Sequence, residues 1–382
     1  MKKLNSFKTW FAGSFPIDLD ILKEISSEPI PNHLKKWWFA IGGTPLYLFV
    51  VQALTGIILT FYYVPDPAEA FQSVAYITTH VRFGWFLRSI HKWSAHLMVL
   101  TLFLHMMRVY FTASYRKPRE INWMIGVAIL LTTLGFGFTG YSLIYEQISY
   151  WAAVVGTNIA AATPFIGDIL SGFIRGGDEV SDNTLTRFFV LHIGVLPTAM
   201  VMLLGLHVVQ IRLHGVTKLR FDKDNSHSVE LSLRVSAPVS PTRAHGGDTS
   251  TEADEEEKVK EESFPFYPDH FYMELIVGLT LTFILTILAL IYPAHMGDPA
   301  NPLVTPEHIK PEWFFYATFR WLKLTSLGVG VMGTMVFLGI LLFWPFIDRV
   351  LVRKFPGREI SFWLGVVGFF VFLTFTIWEA LV

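Results

Sequence analysis

The chain contains no cysteine and few charged residues, and both shortages limit the classes of protein and of functional site that it can represent. Without a thiol it cannot form a disulfide, hold an iron–sulfur cluster through cysteine, attach a haem by a thioether bond or use thiol catalysis. Charged residues occupy only 16% of the 382 positions, whereas soluble domains have about 25%. This composition argues against a water-soluble enzyme, and a net charge of −1 provides no general attraction for nucleic acid.

Long apolar segments make up much of the sequence. Hydrophobic residues make up 52% of the chain, and the mean hydropathy is +0.45. A helix needs about 20 apolar residues to cross a bilayer, and basic residues at its ends can reach the interface. We predict seven spans, at 37–65, 88–111, 121–145, 188–211, 275–297, 324–347 and 360–378. Because every backbone polar group in lipid must bond within its own helix, the predicted fold is an all-α polytopic membrane protein.

The distribution of basic residues predicts the orientation. If the N-terminus is cytoplasmic, 22 of the 30 Lys and Arg residues lie in the cytoplasmic connections, as the positive-inside rule requires. The loops at 63–90, 146–187 and 298–323 then lie on the opposite, electropositive side. The N-terminal segment, 1–36, lacks the compact apolar stretch of a cleavable signal, and we predict that it forms a short helix on the membrane surface.

One segment, 222–262, differs from the rest of the chain, with 11 acidic and 5 basic residues and the run Glu252–Glu257. Such a run can dock a basic partner. Acidic low-complexity segments, however, seldom bury enough apolar surface to become ordered. We therefore interpret 214–268 as a solvated linker between a four-helix region at 37–213 and a three-helix region at 269–382.

Two predicted spans carry histidine near both ends. In the second span, His91 and His105 are 14 residues apart, which returns them to within about 40° of one face and separates them by about 21 Å. In the fourth span, His192 and His207 are 15 apart, and Pro197 between them can loosen the helix and absorb the extra residue. Neutral imidazole is a good haem ligand, so the pattern predicts two bis-imidazole haem sites, one in each leaflet.

Glycines at a matching spacing support this interpretation. Gly42 and Gly56 in the first span are 14 residues apart, and so are Gly126 and Gly140 in the third. A residue without a side chain lets a flat ring approach a helix backbone. The alternative, that the histidines are satisfied interior polar groups or proton relays, does not explain the two glycine pairs.

Arginines accompany the second-span histidines. Arg88 precedes His91 by three residues and Arg108 follows His105 by three, which suits charge-assisted bonds to haem propionates; the alternative is ordinary interfacial arginine. We interpret His96 on the same helix as a packing residue or a local hydrogen-bond partner. The other histidines are predicted to be solvated in loops or at interfaces: His33, His80, His214, His227, His245, His270, His295 and His308.

These residues resemble cytochrome b of the cytochrome bc complexes, and the resemblance covers nearly all of the chain. The segment from His91 to Tyr110 is similar to the chloroplast and Gram-positive type, in which the second histidine pair is 15 apart. In many of those relatives the two halves are separate chains, which are fused here. The resemblance implies that His91 and His192 bind the haem on the positive side, and that His105 and His207 bind the cytoplasmic one.

The resemblance extends to two quinone sites. Gly140-Tyr141-Ser142-Leu143, followed by Gln147 and Trp151, is similar to the short helices around the quinol-oxidation site of the family. Pro311-Glu312-Trp313-Phe314 is similar to the Pro-Glu-Trp-Tyr signature, which implies that Glu312 accepts a proton from quinol. The implied site residues are Tyr141, Glu146, Glu312, Trp313 and Phe314 for oxidation, and Arg212, five residues after His207, for quinone reduction.

Three positions depart from the family pattern. Phe314 replaces the tyrosine of the signature, and Leu143-Ile144-Tyr145-Glu146 stands where Leu-Pro-Trp is common, although Glu146 matches an acidic position of the chloroplast type. Both changes alter the wall of the oxidation site. Ala40 occupies the place of the cysteine that binds a third haem in the chloroplast type, so no covalent c-type haem is expected.

The resemblance implies an electron-transfer subunit of a quinol oxidoreductase with two non-covalent b-type haems, coupled to proton translocation. The implied partners are a Rieske-type iron–sulfur protein and a cytochrome c or other high-potential acceptor, in a homodimeric complex of an energy-transducing membrane such as a bacterial cell membrane. One alternative is a dihaem anchor that links a peripheral oxidoreductase to the quinone pool, and another is a proton or ion transporter.

Overall fold

The computed structural model describes residues 29–31, 41–215 and 263–382, and this part of the chain is predominantly helical, as predicted. Most of the predicted N-terminal surface segment, Ala40 and the acidic run Glu252–Glu257 lie outside the described residues. The helices are α1 (Gly43–Thr60), α2 (Ala70–Thr79), α3 (Gly84–Phe111), α4 (Glu120–Ser142), α5 (Gln147–Ala161), α6 (Gly167–Arg175), α7 (Asp182–Val190), α8 (Leu196–His214), α9 (Phe271–Ile291), α10 (Tyr316–Lys323), α11 (Leu327–Leu342), α12 (Trp344–Lys354) and α13 (Ile360–Leu381).

The chain forms two compact units, and the first consists of residues 1–43 and 216–282. Its described part contains a short antiparallel ribbon in which β1 (Pro29–Pro31) pairs with β2 (Ser263–Pro265). The sequence did not predict this ribbon, because three-residue strands that contain proline show no alternating hydrophobic pattern. His270, predicted to be solvated, is only 15% exposed and lies 3.6 Å from Glu274 Oε1, one helical turn later.

The second unit consists of residues 44–215 and 283–382. Among the described residues, six helical segments are long and apolar enough to cross a membrane. The pair α11 and α12, bent by 71°, brings the number to the predicted seven if it counts as one span. Many large apolar side chains on these helices are exposed, as expected for surfaces that face lipid.

Proline explains the bend between α11 and α12. Pro345 lies in the first turn of α12 and has no N–H to continue the hydrogen bonding of the preceding helix. The carbonyl of Leu341, four residues earlier, instead accepts a hydrogen bond of 2.7 Å from Nε1 of Trp123 in α4. The bend therefore leaves this carbonyl satisfied.

The fourth span contains the irregularity that the histidine spacing predicted. A π-helical turn at Leu191–Val195 joins α7 to α8, and the backbone N–H of Leu196 bonds to the carbonyl of Leu191, five residues earlier. A π turn holds one residue more than an α turn. The extra residue between His192 and His207 is accommodated there, next to Pro197 as expected.

The core of the second unit lies between the two histidine pairs along α3, α4 and α8. Leu48 of α1 and Met200 of α8 are fully buried, and Leu102 and Leu130 pack with them. Tight apolar packing of this kind holds neighbouring helices in one register. The four spans α1, α3, α4 and α7–α8 thus form the predicted bundle, and α9 contributes Leu285 to its core.

Candidate functional site

His91 and His192 face each other inside the bundle. Their ring centres are 6.5 Å apart, with the rings inclined at 70°. A metal–imidazole bond is about 2 Å long, and a ring nitrogen lies roughly 1.1 Å from its ring centre, so two imidazoles on opposite sides of one iron have centres roughly 6.3 Å apart. The observed separation therefore fits one iron held between the two side chains.

A threonine hydroxyl orients each of these two rings. Oγ1 of Thr55 lies 2.8 Å from Nδ1 of His91, and Oγ1 of Thr139 lies 3.0 Å from Nδ1 of His192. Both hydroxyls also donate their single proton to a carbonyl one turn earlier in their own helices, so they accept from the imidazole N–H. Nε2 of each ring is then unprotonated and available to a metal.

His105 and His207 form the second pair at the other end of the bundle. Their ring centres are 6.4 Å apart, again the separation that two ligands of one iron require. Nδ1 of His105 is buried and has no hydrogen-bond partner among the described residues. The two pairs therefore share a geometry but differ in what surrounds their outer nitrogens.

Three of the four predicted glycines lie against these imidazoles. A Cβ on Gly140 would lie 2.6 Å from Cε1 of His192, and one on Gly56 would lie 3.3 Å from Cε1 of His91. A Cβ on Gly126 would meet His207 at 3.9 Å. Gly140 and Gly56 thus allow an approach to the ring that a side chain would hinder, whereas a Cβ on Gly126 would make an ordinary contact. Gly42 lies in the turn that precedes α1.

The predicted arginines lie in different surroundings. Arg88 is buried and donates to the carbonyls of Ala294 (2.8 Å) and His295 (3.0 Å). It thereby fixes the loop after α9 against α3, a role that the sequence did not indicate. Arg108 is partly buried one turn from His105, and Arg212 is exposed near the end of α8.

Glu312 lies beside α3, immediately before the 3-10 turn Trp313–Phe315. Its side chain is 24% exposed, and Oε2 lies 4.0 Å from Nε2 of His96. Burial raises the pKa of the Glu312 carboxyl, Lys92 lowers it, and Glu146 raises it. A carboxylate with a raised pKa is suited to accept a proton near neutral pH.

Trp313 and Phe314, the two residues after Glu312, contact α3 and α4. Nε1 of Trp313 donates a hydrogen bond of 3.0 Å to Nδ1 of His96. Phe314 is buried and lies against Gly137 of α4, where a Cβ would be 2.8 Å from its ring. A buried phenylalanine needs no hydrogen-bond partner, so the loss of the tyrosine hydroxyl creates no unsatisfied group.

Glu146 and Gln147 tie the start of α5 to the loop after α9. Glu146 forms a capping box with Ser149 and accepts a 2.7 Å hydrogen bond from the backbone N–H of Gly297. The side chain of Gln147 donates to the carbonyl of Val304 and accepts from the N–H of Asn301, both at 2.5 Å. Glu146 therefore has a structural function in addition to any part in the chemistry.

Comparison with known proteins identifies the family of the chain that carries these side chains. Residues 25–215 match the model described as "Cytochrome b/b6/petB", and residues 299–380 match "Cytochrome b(C-terminal)/b6/petD". A cytochrome bc complex cytochrome b subunit of Chlorobaculum thiosulfatiphilum is 35% identical over 356 residues, which cover 91% of this chain and 74% of that one.

The chain belongs to the cytochrome b family. A cytochrome b6 of Heliobacterium modesticaldum is 45% identical over 208 residues, 54% of this chain and 98% of that one. The structure described as hyperthermophilic respiratory Complex III shares the fold, with a TM-score of 0.72, 22% identity, and coverage of 97% of this chain and 96% of that one. The protein is therefore an integral membrane cytochrome b of electron transport, and b-type haem is the cofactor that the family implies.

Some residues that build this cytochrome b site carried no recognised signal in the sequence. The two orienting threonines each stand directly before a glycine of the pattern, as Thr55-Gly56 and Thr139-Gly140, and this repeated dipeptide could have revealed them. His96, interpreted as a packing or locally bonded residue, contacts Trp313 217 positions away. Helical spacing cannot reveal a contact of that length.

Proposed function

We propose that this cytochrome b is the electron-transfer subunit of a quinol oxidoreductase complex. It oxidises quinol at the Glu312 site, passes electrons across the membrane to a quinone-reduction site near Arg212, and couples this transfer to proton translocation. The observation that carries the proposal is the presence of two histidine pairs in one bundle, each with the separation that two ligands of one iron need, and of the partly buried Glu312 carboxylate, whose pKa is raised, beside α3.

His91 with His192, and His105 with His207, would hold one b-type haem each. When bound, the haems supply the one-electron redox chemistry across the membrane. A haem iron held by two imidazoles would have no open position for oxygen, which favours electron transfer. Gly56, Gly140 and Gly126 leave space beside the rings, and Arg88 and Arg108 are proposed to pair with propionates.

The proton acceptor for quinol would be Glu312. Deprotonating a quinol hydroxyl while one electron leaves to an external acceptor requires a base within hydrogen-bond reach. Tyr141, Glu146, Trp313 and Phe314 would surround the quinol. The indole N–H of Trp151 is buried with no hydrogen-bond partner among the described residues, which makes it a donor that a ligand could use.

The remaining features of the proposal are supported by the distribution of charge and by the family resemblance. The N-terminus would lie in the cytoplasm and Glu312 on the electropositive side, where proton release would occur. The regions 37–213 and 269–382 would contribute haem ligands and Glu312 respectively, joined by the linker 214–268. The partners would be other subunits, namely a Rieske-type iron–sulfur protein and a cytochrome c or other high-potential acceptor, in a homodimeric complex of a bacterial cell membrane.

A redox titration of the visible spectrum, made on the complex purified with its native partners, tests the haem assignment. We expect two b-type components with separate midpoint potentials. His192→Leu should remove one component and His207→Leu the other, whereas His80→Leu, at an exposed position after α2, should retain both. Loss of both components together in each ligand variant, with normal assembly, would contradict the assignment of two independent pairs.

Quinol-driven reduction separates the proposed cycle from a simple dihaem anchor. In the proposed cycle, inhibitors of the two quinone sites act independently, because oxidation and reduction occur at different places. A complex with a single site would respond to only one class of inhibitor. That result would replace the proposed function with the anchor function.

A further inference from the structure

His96 lies on α3 but faces away from the haem ligands. It follows His91 by five residues, which rotates it about 140° around the helix axis. Its ring lies beside the Glu312 loop, with Nδ1 bonded to Trp313 and Nε2 directed at Glu312. The side chains of His96 and Glu312 are only 15% and 24% exposed, so water screens their interaction weakly.

The indole of Trp313 determines which nitrogen of His96 carries the proton. An indole N–H can only donate, so Nδ1 of His96 must be the acceptor in this bond of 3.0 Å. A neutral imidazole then carries its single proton on Nε2. This N–H lies 4.0 Å from Oε2 of Glu312, about 1 Å beyond a hydrogen bond, a gap that a small rotation of the Glu312 side chain closes.

We propose, on the basis of the proposed function, that His96 is a positioning residue for quinol oxidation: its Nε2–H, fixed by Trp313, holds the ionised Glu312 carboxylate in place to receive the quinol proton. The hydrogen bond favours the carboxylate over the acid. Once Glu312 has taken the proton from the quinol hydroxyl, the neutral acid attracts the imidazole N–H less strongly.

The groups around Glu312 explain why such a donor is needed. Burial and the negative charge of Glu146 both favour the protonated acid, and Lys92 opposes them. The titratable groups that influence this carboxylate, or are influenced by it, are Lys92 and His96 on α3, Tyr141 at the end of α4, Glu146 before α5, and Tyr316 on α10. Among these groups, His96 is a neutral donor, and its Nε2 lies 4.0 Å from Oε2 of Glu312.

A pair of substitutions at His96, made in the intact complex, tests the proposal. His96→Leu removes the donor, whereas His96→Gln removes the imidazole but keeps an N–H at a similar distance from the backbone. The acid limb is the part of the pH profile in which the rate of quinol oxidation rises with pH. We expect the midpoint of this limb to move to a higher pH by about one unit in His96→Leu. In His96→Gln the midpoint should return most of the way to its wild-type value. A residue with only a packing function would lower the rate equally at every pH.

A second readout does not depend on turnover. The protonated carboxyl band of Glu312, identified by its loss in Glu312→Gln, can be titrated by infrared difference spectroscopy in the resting complex. We expect His96→Leu to move this titration upward by the same amount as the acid limb. An unchanged infrared titration in an assembled His96→Leu complex would overturn the proposal. Normal quinol oxidation by Glu312→Gln would instead overturn the proposed function and leave the infrared comparison valid.

The Trp313→Phe variant tests the same idea if His96→Leu does not assemble. Without the indole N–H, the His96 proton can move to Nδ1, and we expect an upward shift of the infrared titration in the same direction. Trp321→Phe is the matched control, because Trp321 also donates one hydrogen bond, to the carbonyl of Gly330 at 2.9 Å. Equal titrations in the two tryptophan variants would contradict the role of Trp313.

Discussion

Thr55 holds His91 through a 2.8 Å contact between Oγ1 and Nδ1, and Thr139 holds His192 in the same way at 3.0 Å. Each threonine stands immediately before a glycine that leaves room beside the same ring. One dipeptide thus provides both an orienting oxygen and an open space, and it occurs once on α1 and once on α4. The first prediction follows from this relationship.

Thr55→Val should raise the midpoint potential of the haem held by His91 and His192. An imidazole that donates through Nδ1–H is a more basic ligand and stabilises the oxidised iron. Loss of a hydrogen bond of about 1 kcal/mol corresponds to about 40 mV in a one-electron couple. Thr101→Val on α3 is the control, since its hydroxyl bonds only to carbonyls of its own helix. A redox titration in which both variants shift equally would exclude the orienting function.

Gly140→Ala should disrupt the first histidine pair selectively. Its Cβ would lie 2.6 Å from Cε1 of His192, so the imidazole ring must shift from its present position. We expect loss or broadening of one of the two b-type spectral components, while the component from His105 and His207 stays. Gly194→Ala, which meets no neighbouring atom within 4 Å, should leave both components intact. Retention of a normal spectrum in Gly140→Ala would argue against a ring seated at this glycine.

Glu312→Gln should lower the rate of quinol oxidation by about 100-fold or more, as for other general bases. The carboxyl accepts a proton only when ionised, and burial raises its pKa. The wild-type rate should therefore increase as the pH rises through that raised pKa, and this acid limb should be absent in Glu312→Gln. The measurement is steady-state quinol oxidation as a function of pH, with haem content as the control. A variant that keeps the acid limb would show that another group accepts the proton.

Asp348→Asn should destabilise the protein without changing its haem spectrum. Asp348 of α12 is 1% exposed and binds Nε of Arg116 at 2.7 Å, and Ser361 of α13 donates to it as well. Because the partner Arg116 is 27% exposed, we expect a loss of about 2 kcal/mol, less than for a fully buried pair. Thermal denaturation followed by haem absorbance measures it, with exposed Glu359→Gln as the control. Equal melting of both variants would contradict a stabilising function for the pair.

Most of the bundle could be predicted from the sequence, because apolar length and helical periodicity are local properties. The membrane-spanning helices lie at the segments that contain few charged residues. The histidine spacing of 15 predicted an irregularity in the fourth span, and the structure has the π turn at Leu191–Val195 there. The ribbon of β1 and β2 was missed, because pairing between residues more than 230 positions apart leaves no local pattern. The predicted roles of Arg212 and of the linker 214–268 stay predictions.

The sequence could indicate the individual residues of the candidate site but not the contacts between them. Glu312, Trp313 and Phe314 were identified through their resemblance to a family motif, and the structure places them next to α3. The contacts of Arg88 with the carbonyls after α9, and of His96 with Trp313, join residues about 200 positions apart. Sequence spacing reports only the face of a helix on which a residue lies, and not which loop covers that face.

The sequence by itself determined that this is a membrane-embedded helical protein with two histidine pairs and no thiol chemistry. Those properties depend on composition and on the 3.6-residue repeat, which act within one helix. Only the tertiary structure decided the tautomers of His91, His192 and His96. A tautomer depends on which donor or acceptor reaches the second ring nitrogen, and that group comes from another helix or loop brought close by packing.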